Sequence, residues 1–329
     1  MSRVAKWVAY ILGAVVLVVL ATGGWLLASA SFDYGETPYP EVAASSDPAV
    51  IAHGEYIANA VAHCSACHSR SEQVKEFALD FSSPLQGGYV WEIPLFGTYT
   101  AANLTSHPDA LARYQDREVA RAIRSAVGTD GKLAPMMRFG VGPMADEDLA
   151  AVVSYIRTQP PVEANQPRPQ YGMLAKLLSR RFGPRVDPGP PYVPAGEASV
   201  ERGRYLVLGP ANCSGCHTPL DPMAGFASVG PPMSGAFAPE PDATDPDFEI
   251  AAPNLTPDPA TGHITNWSED AFVARFQGGR VVRGSPMPWE NFQRLTEADI
   301  RSVYRFLMTL EPVEHNVGPT RRPKGSFKG

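Results

Sequence analysis

The 329-residue sequence lacks the short motifs that mark several large enzyme classes. It contains no H-E-x-x-H zinc motif, no Walker phosphate loop, no G-x-G-x-x-G dinucleotide motif and no G-x-S-x-G nucleophile turn. It also lacks stretches in which apolar and polar residues alternate, so no half-buried strand is predicted. Basic residues are outnumbered, with 28 Lys and Arg against 34 Asp and Glu, which argues against nucleic-acid binding. The sequence therefore predicts a mainly α protein outside these enzyme classes.

Cysteine is scarce too: the chain has four, and all four lie in two copies of one pentapeptide. The copies are Cys64-Ser65-Ala66-Cys67-His68 and Cys213-Ser214-Gly215-Cys216-His217, and both read C-x-x-C-H. This is the attachment motif of a c-type haem. Two thiols one helical turn apart can each form a thioether to a haem vinyl group, and the histidine that follows is held under the iron. The sequence predicts two covalently attached haem c groups, with His68 and His217 as proximal ligands.

Three other uses of these cysteines fit the spacing less well. Structural zinc pairs usually lie about 15–20 residues apart, whereas Cys64 and Cys213 are 149 positions apart. Redox-active C-x-x-C pairs belong in thioredoxin-like βαβ surroundings, which the sequence does not show. Structural disulfides would need no histidine after each pair. Haem attachment uses both cysteines and the histidine of each motif.

Charge is absent between Lys6 and Asp33, and Trp7–Leu27 is almost wholly apolar. As a helix these residues would rise about 32 Å, enough to cross the hydrocarbon layer of a membrane. Arg3 and Lys6 precede the apolar run, so the positive-inside rule places the N-terminus in the cytoplasm and the rest of the chain outside. We expect residues 1–30 to be a retained anchor, with a cleaved signal peptide as the alternative.

The sequence is internally duplicated with a period of about 150 residues. Three pairs of segments match in order: Gly54-Glu55-Tyr56 with Gly203-Arg204-Tyr205, Asn103-Leu104-Thr105 with Asn254-Leu255-Thr256, and Pro135-Met136 with Pro286-Met287. This predicts two domains of one kind, at 49–165 and 196–317. Between and around them we predict a linker at 31–48 that lifts them off the membrane, a Pro-rich basic insert at 166–195 and a basic tail at 318–329. The insert is expected to strap the domains together, or else to dock on a partner or on anionic headgroups.

Helical periodicity is clearest at the end of each repeat. Leu149, Val152, Val153 and Ile156 recur at helical spacing, and so do Ile300, Val303, Tyr304 and Leu307. Further helices are predicted before each haem motif, in the middle of each repeat and in the insert, over residues 49–60, 198–208, 117–126, 269–276 and 171–182.

The sixth ligand of each haem iron decides what the iron can do. Methionine opposite histidine gives the six-coordinate iron typical of electron-transfer cytochromes c. Met287 lies 70 residues after His217, and its equivalent Met136 lies 68 residues after His68, with Met137 as the adjacent rival. The five other histidines lie in predicted loops or next to helix ends and are expected to be solvated, with a role as a second haem ligand as the alternative. The paired Asn-Leu-Thr loops are expected to shape the haem edge near the propionates.

The order of these segments resembles that in class I cytochrome c domains of membrane-associated multihaem cytochromes. It runs from C-x-x-C-H through Asn-Leu-Thr and Trp267-Ser268-Glu269-Asp270 to Pro286-Met287-Pro288-Trp289 and the final helix. The nearest group is the cytochrome subunits of bacterial alcohol and gluconate dehydrogenases, although these typically carry three such domains.

The resemblance implies a mainly α fold of tandem cytochrome domains behind a transmembrane helix. It implies two haems, ligated by His68 with Met136 and by His217 with Met287. The protein would be an electron carrier and no enzyme, on the periplasmic side of the bacterial cytoplasmic membrane. Its donor would be a membrane dehydrogenase or quinol-oxidising complex, and its acceptor a soluble cytochrome or a terminal oxidase. A dihaem peroxidase is the alternative, which requires one haem whose sixth position can open.

Overall fold

The computed structural model describes residues 2–163, 166–178, 183–221, 224 and 226–327. The predicted boundary of the first domain at Asn165, and Arg180 and Arg181 of the insert, lie outside these residues. The chain is helix-rich, with 39% of it helical, and begins with a long apolar helix, α1 (Arg3–Ala28). None of the residues of α1 is buried against the rest of the protein.

The predicted helices of the two repeats are present. In the first repeat they are α2 (Pro48–Tyr56) with a π-helical turn (Ile57–Val61), α3 (Ser65–His68), α4 (Ser71–Glu76), a 3-10 turn (Leu111–Arg113), α5 (Asp116–Ser125), α6 (Pro135–Gly140) and α7 (Asp146–Arg157). The insert contributes α8 (Met173–Leu177), and the last four residues of the helix predicted there, 179–182, lie outside the described residues. The second repeat has α9 (Val200–Leu208), α10 (Ser214–His217), α11 (Glu269–Gln277), α12 (Trp289–Phe292) and α13 (Glu297–Leu307).

Short strands are the part of the fold that the sequence did not predict. Among the described residues they form three small antiparallel sheets. These are β1 (Val90–Ile93), β2 (Gly97–Thr100) and β3 (Gln170–Tyr171); β4 (Leu220–Asp221) and β5 (Ala227–Ser228); and β6 (Glu240–Pro241), β7 (Phe248–Ile250) and β8 (Arg321–Pro323). Strands of two to four residues are too short to show an alternating pattern.

The same helix pair forms the centre of each repeat: α2 packs against α7, and α9 packs against α13. A glycine permits the close approach in both pairs. A Cβ atom at Gly54 would collide with the carbonyl oxygen of Ala151, and one at Gly203 would collide with that of Ser302. The duplicated Gly-x-Tyr segments are therefore explained by helix contact.

The two repeats share one continuous apolar core, and buried polar contacts cross between them. Tyr56 of the first repeat donates to Asp299 of the second at 2.6 Å. At the equivalent positions, Tyr205 of the second repeat donates to Asp148 of the first. Each tyrosine also accepts a bond from the backbone N–H at the N-cap of the same helix, Thr296 or Ala145.

A basic side chain of the same repeat completes each of these contacts. The guanidinium of Arg202 binds both oxygens of Asp299, at 2.9 and 3.0 Å, with both side chains almost fully buried. His53 occupies the equivalent position in the first repeat, and its Nε2 lies 2.6 Å from Asp148. The sequence predicts His53 to be a solvated loop residue; it is instead a helix residue paired with a buried carboxylate.

The segment 31–48 is predicted to be a spacer, but it lies against the first repeat. Phe32 is buried and stacks on Tyr171 with ring centroids 3.9 Å apart. Its carbonyl accepts from Leu133 N–H, and Tyr34 N–H donates to Gly131. Because aromatic side chains in this Pro-containing stretch find apolar partners, the first repeat is held close to the end of α1.

We expect Asp299→Ala to lower the free energy of unfolding by about 3–5 kcal/mol, because Arg202 would be left as a buried, unpaired cation. Asp270→Ala is the matched control, since Asp270 also pairs with an arginine but its side chain is 81% exposed; its loss should cost about 1 kcal/mol or less. Urea unfolding of the two variants checks the difference. Equal losses would contradict the assigned role of the Arg202–Asp299 pair.

Candidate haem-attachment sites

Each C-x-x-C-H motif forms a single helical turn, as the spacing predicts. The N–H of His68 donates to the carbonyl of Cys64 at 2.8 Å, and His217 donates to Cys213 at 2.9 Å. Side chains three positions apart on such a turn are neighbours, so the two thiols of each motif share a face. The residue before each motif, His63 or Asn212, has a left-handed backbone with φ of 42° or 50°. The chain therefore enters both motifs in the same way.

The two motif histidines are oriented by the same kind of contact. Nδ1 of His68 lies 2.8 Å from the carbonyl oxygen of Ala102, and Nδ1 of His217 lies 3.0 Å from that of Pro253. A carbonyl oxygen only accepts, so Nδ1 carries the proton and Nε2 is left as the nitrogen that can bind a metal. Burial lowers the pKa of both rings, to about 4 for His217, which keeps them neutral as a metal ligand must be.

The Asn-Leu-Thr loops hold these carbonyls in place. Asn103 follows Ala102, and its Nδ2 donates to the carbonyl of Val162 at 2.9 Å. Asn254 follows Pro253, and its Nδ2 donates to Val313 at 2.8 Å. The oxygen of each amide accepts from the N–H two residues later. The loops thus tie each motif histidine to the end of its own repeat, a role the sequence did not predict.

A cavity of about 900 Å³ gathers the predicted residues of the second site. Cys213, Cys216, His217 and Met287 all line it. Its size is in the range of cofactor-binding cavities, which are mostly apolar with a few polar groups. Of the first site, Cys67 lines the same cavity, whereas Cys64, His68 and Met136 do not.

An arginine holds each methionine segment through backbone carbonyls. Arg280 donates to the carbonyl of Met287 at 3.0 Å and forms an ion pair with Glu290. In the first repeat, Arg185 of the insert donates to carbonyls of the α6 segment, among them Arg138 at 3.1 Å. Burial and the neighbouring arginines lower the pKa of Arg185 to about 10. The backbone of each methionine segment is therefore held in place by an arginine side chain.

Met136 and Met137 differ in their surroundings. Met136 follows Pro135 in α6, as Met287 follows Pro286, and it is half-buried. Met137 packs against the main apolar core and also against the smaller cluster around Phe32. Met287 packs against the main core where the core borders the cavity.

Each motif also contacts the methionine segment of the other repeat. Nδ2 of Asn291, in α12, donates to the hydroxyl of Ser65 at 2.7 Å and to the carbonyl of Asn59 at 2.6 Å. Nδ2 of Asn212 donates to the carbonyl of Phe139, in α6, at 2.7 Å. Neither asparagine has an asparagine at the equivalent position of the other repeat, so the duplication gave no signal for them.

The four thiols remain in two separate pairs. Burial raises the pKa of each to about 12, and Cys67, Cys213 and Cys216 line the cavity. In the part of the chain that the structure describes, no three His, Cys, Asp or Glu side chains are grouped to hold a metal ion. His63 is half-buried, desolvation lowers its pKa to about 4, and it packs on Phe292, so it is not the solvated residue predicted.

Comparison with known proteins identifies relatives that match most of the chain. The chain is 28% identical over 299 residues to the cytochrome c subunit of quinone alcohol dehydrogenase from Gluconacetobacter polyoxogenes, covering 83% of this chain and 58% of that one. It is 28% identical over 301 residues to the fructose dehydrogenase cytochrome subunit of Gluconobacter japonicus, covering 86% and 57%. Its homologues are cytochromes c. The chain spans somewhat more than half the length of these two relatives.

A shorter relative matches the chain in size. A dihaem cytochrome c of Cereibacter sphaeroides is 25% identical over 265 residues, covering 76% of this chain and 83% of the relative. No family model matches the chain. The resemblance to dehydrogenase cytochrome subunits, inferred from the motifs, is confirmed.

We expect Asn254→Ala to lower the free energy of unfolding by about 1–3 kcal/mol, because Thr256 N–H and the Val313 carbonyl would lose their buried partner. The matched control is Asn316→Ala, where an exposed asparagine caps only the exposed N–H of Gly318. Its effect should stay within about 0.5 kcal/mol. Guanidinium unfolding measures both, and an unaffected Asn254→Ala protein would contradict the role given to the loop.

Proposed function

We propose that the protein is a dihaem c-type cytochrome that carries single electrons at the outer face of a bacterial cytoplasmic membrane. Residues 49–165 and 196–317 would be tandem class I cytochrome c domains behind an anchor at residues 1–30. The observation that carries the proposal is the shared arrangement of the motif histidines. Each sits at the end of a C-x-x-C-H turn with Nδ1 on an equivalent backbone carbonyl and Nε2 available to iron.

The residues of the second motif fit a haem c group, because they line one cavity with Met287, and the first motif matches the second in sequence and in the orientation of its histidine. Cys64 and Cys67 would bind one haem through thioethers, and Cys213 and Cys216 the other. His68 and Met136 would bind the iron of the first haem, and His217 and Met287 the iron of the second. When bound, the haem supplies the one-electron chemistry, and the protein tunes it by ligand, burial and exposure.

The chain's own residues position these ligands and keep water away. Asn103 and Asn254 hold the loops whose carbonyls orient the histidines, which raises the basicity of a ligating imidazole. Apolar side chains line the cavity of the second site, among them Leu255, Ile264 and Trp289. An apolar lining that limits solvent access, together with methionine ligation, favours a high reduction potential.

For the first iron, Met136 is the proposed ligand. It follows a proline in the same register as Met287, whereas Met137 bridges two apolar clusters and already has a structural role. Arg185 holds the α6 segment that contains Met136, through the carbonyls of Met137 and Arg138.

The partners follow from the relatives and from charge. Two of the relatives are named as cytochrome subunits of dehydrogenases, so a membrane dehydrogenase or quinol-oxidising complex is the proposed donor. A soluble cytochrome or terminal oxidase would be the acceptor. The first repeat has 13 acidic and 9 basic side chains and the second has 16 and 8, which would steer the protein toward a basic partner surface.

The location follows from α1. It is long and apolar enough to cross a membrane, and Arg3 and Lys6 at its start favour a cytoplasmic N-terminus. The haem-binding residues all follow α1, so they would lie on the periplasmic side.

We expect two haems per chain in protein made by a host able to attach haem c, measured as the pyridine haemochrome against protein mass. Replacing Cys213 and Cys216 by Ala should leave one haem, and so should replacing Cys64 and Cys67. The double replacements also control for each other, because each should leave the other site intact. Haem-free protein with bound zinc would contradict the proposal.

We expect two low-spin His–Met signals in the EPR spectrum of the oxidised protein, counted per chain. Met287→Leu should remove one of these low-spin His–Met signals, and Met136→Leu should remove the other, because each substitution removes a sixth ligand. Met137→Leu is the matched control and should leave both signals. Loss of a signal in Met137→Leu would assign that methionine instead, and a high-spin or bis-His haem in the unaltered protein would favour a peroxidase.

A further inference from the structure

Apolar side chains are exposed at the point where α1 meets the rest of the chain. Ile93 and Leu95, at the tip of the β1–β2 hairpin, are 36% and 62% exposed, and Met173 at the start of α8 is 56% exposed. We call these three residues the hairpin patch. α8 packs against α1, so the patch adjoins the anchor helix.

Hydrogen bonds fix the hairpin patch to the elements near the anchor. Leu174 N–H, in α8, donates to the carbonyl of Leu95 at 2.9 Å, and Gly172 N–H donates to Phe96 at 2.7 Å. Tyr171 stacks on Phe32, which lies only four residues beyond the end of α1. Four residues span about 14 Å at most. The patch is therefore held at a set height above the membrane end of α1.

Leu95 has a backbone conformation that leucine rarely adopts. Its φ is +66°, in the left-handed region that glycine and asparagine enter at little cost. A hairpin tip in water would normally carry one of those residues. Here a strained residue presents a large apolar side chain to the outside, where the described part of the protein does not cover it. The exposed leucine at this position is explained if a molecule outside the chain covers its side chain.

The charges beside the patch indicate what covers it. Met173 and Lys176 are three residues apart on α8 and both are exposed, so an apolar and a basic side chain share its outer face. Glu92 precedes Ile93 on β1, and successive strand side chains point to opposite faces. Exposed apolar side chains beside a lysine are the composition of a membrane-interface contact.

We propose that the hairpin patch enters the interfacial layer of the bilayer that α1 spans, so that the first repeat lies on the membrane in one orientation. The inference rests on the retained anchor of the proposed function and goes beyond it. A free tether would leave the haem-binding part to rotate, whereas this contact fixes which face of the first repeat meets lipid.

The test uses the full-length protein in phospholipid vesicles that contain a phospholipid with a diazirine near its headgroup. After illumination, mass spectrometry locates lipid adducts along the chain. Adducts are expected in peptides from α1 and in those carrying Leu95 and Met173. The double substitution Leu95→Asn with Met173→Gln should reduce the hairpin and α8 adducts severalfold and leave those in α1, because asparagine preserves the left-handed turn.

Val229→Asn is the matched control. Val229 is also an exposed apolar residue, at 50%, but it lies in the second repeat and should change no adduct in the hairpin. Adducts confined to α1 would overturn the proposal, because the anchor would then be in the membrane without the patch. Absence of adducts from α1 as well would overturn the anchor and the patch together. The haem count is measured separately, so neither result bears on electron transfer.

Discussion

Two buried carboxylates hold the duplicated structure together. Asp148 and Asp299 each begin the last helix of a repeat, and each binds a basic residue of its own repeat and a tyrosine of the other. Burial raises the pKa of Tyr56 and Tyr205, so both keep their protons and donate. A buried carboxylate that loses a partner is costly, and neither repeat can supply the full set alone. The repeats must therefore dock to satisfy these groups, which explains why their apolar cores merge into one.

Docking brings each attachment turn against the methionine segment of the other repeat. Asn291 joins α12 to Ser65, inside the first motif, and Asn212 joins the approach to the second motif to Phe139 in α6. In the proposed cytochrome, the segment that ligates one iron thus touches the turn that holds the other haem. An electron could pass between the sites through contacts of one rigid interface. The same polar groups would stabilise the fold and set the geometry of transfer.

The features that could be predicted from the sequence are those marked by internal repeats and by helical periodicity. α7 and α13 were predictable from apolar spacing, and four residues that the sequence singled out, Cys213, Cys216, His217 and Met287, line one cavity. Contacts between distant residues with no periodic signal were not predictable: Tyr56 and Asp299 are 243 positions apart. The segment 31–48 was predicted to be a spacer because it contains several prolines and serines. Its position is instead set by two aromatic residues, Phe32 and Tyr34, which pack in the smaller apolar cluster. Very short strands carry no pattern at all.

The two methionine segments differ in how their arginine is paired. Arg280 and Arg185 each hold a methionine segment by its carbonyls, but Arg280 also forms an ion pair with Glu290. The hydrogen-bond partners of Arg185 in the described chain are backbone carbonyls, and other arginines are near enough to lower its pKa. The second repeat thus holds its methionine segment with its own Arg280, whereas the first depends on an arginine of the insert. Duplication alone therefore does not explain the first segment, because the residue that holds it comes from outside the repeat.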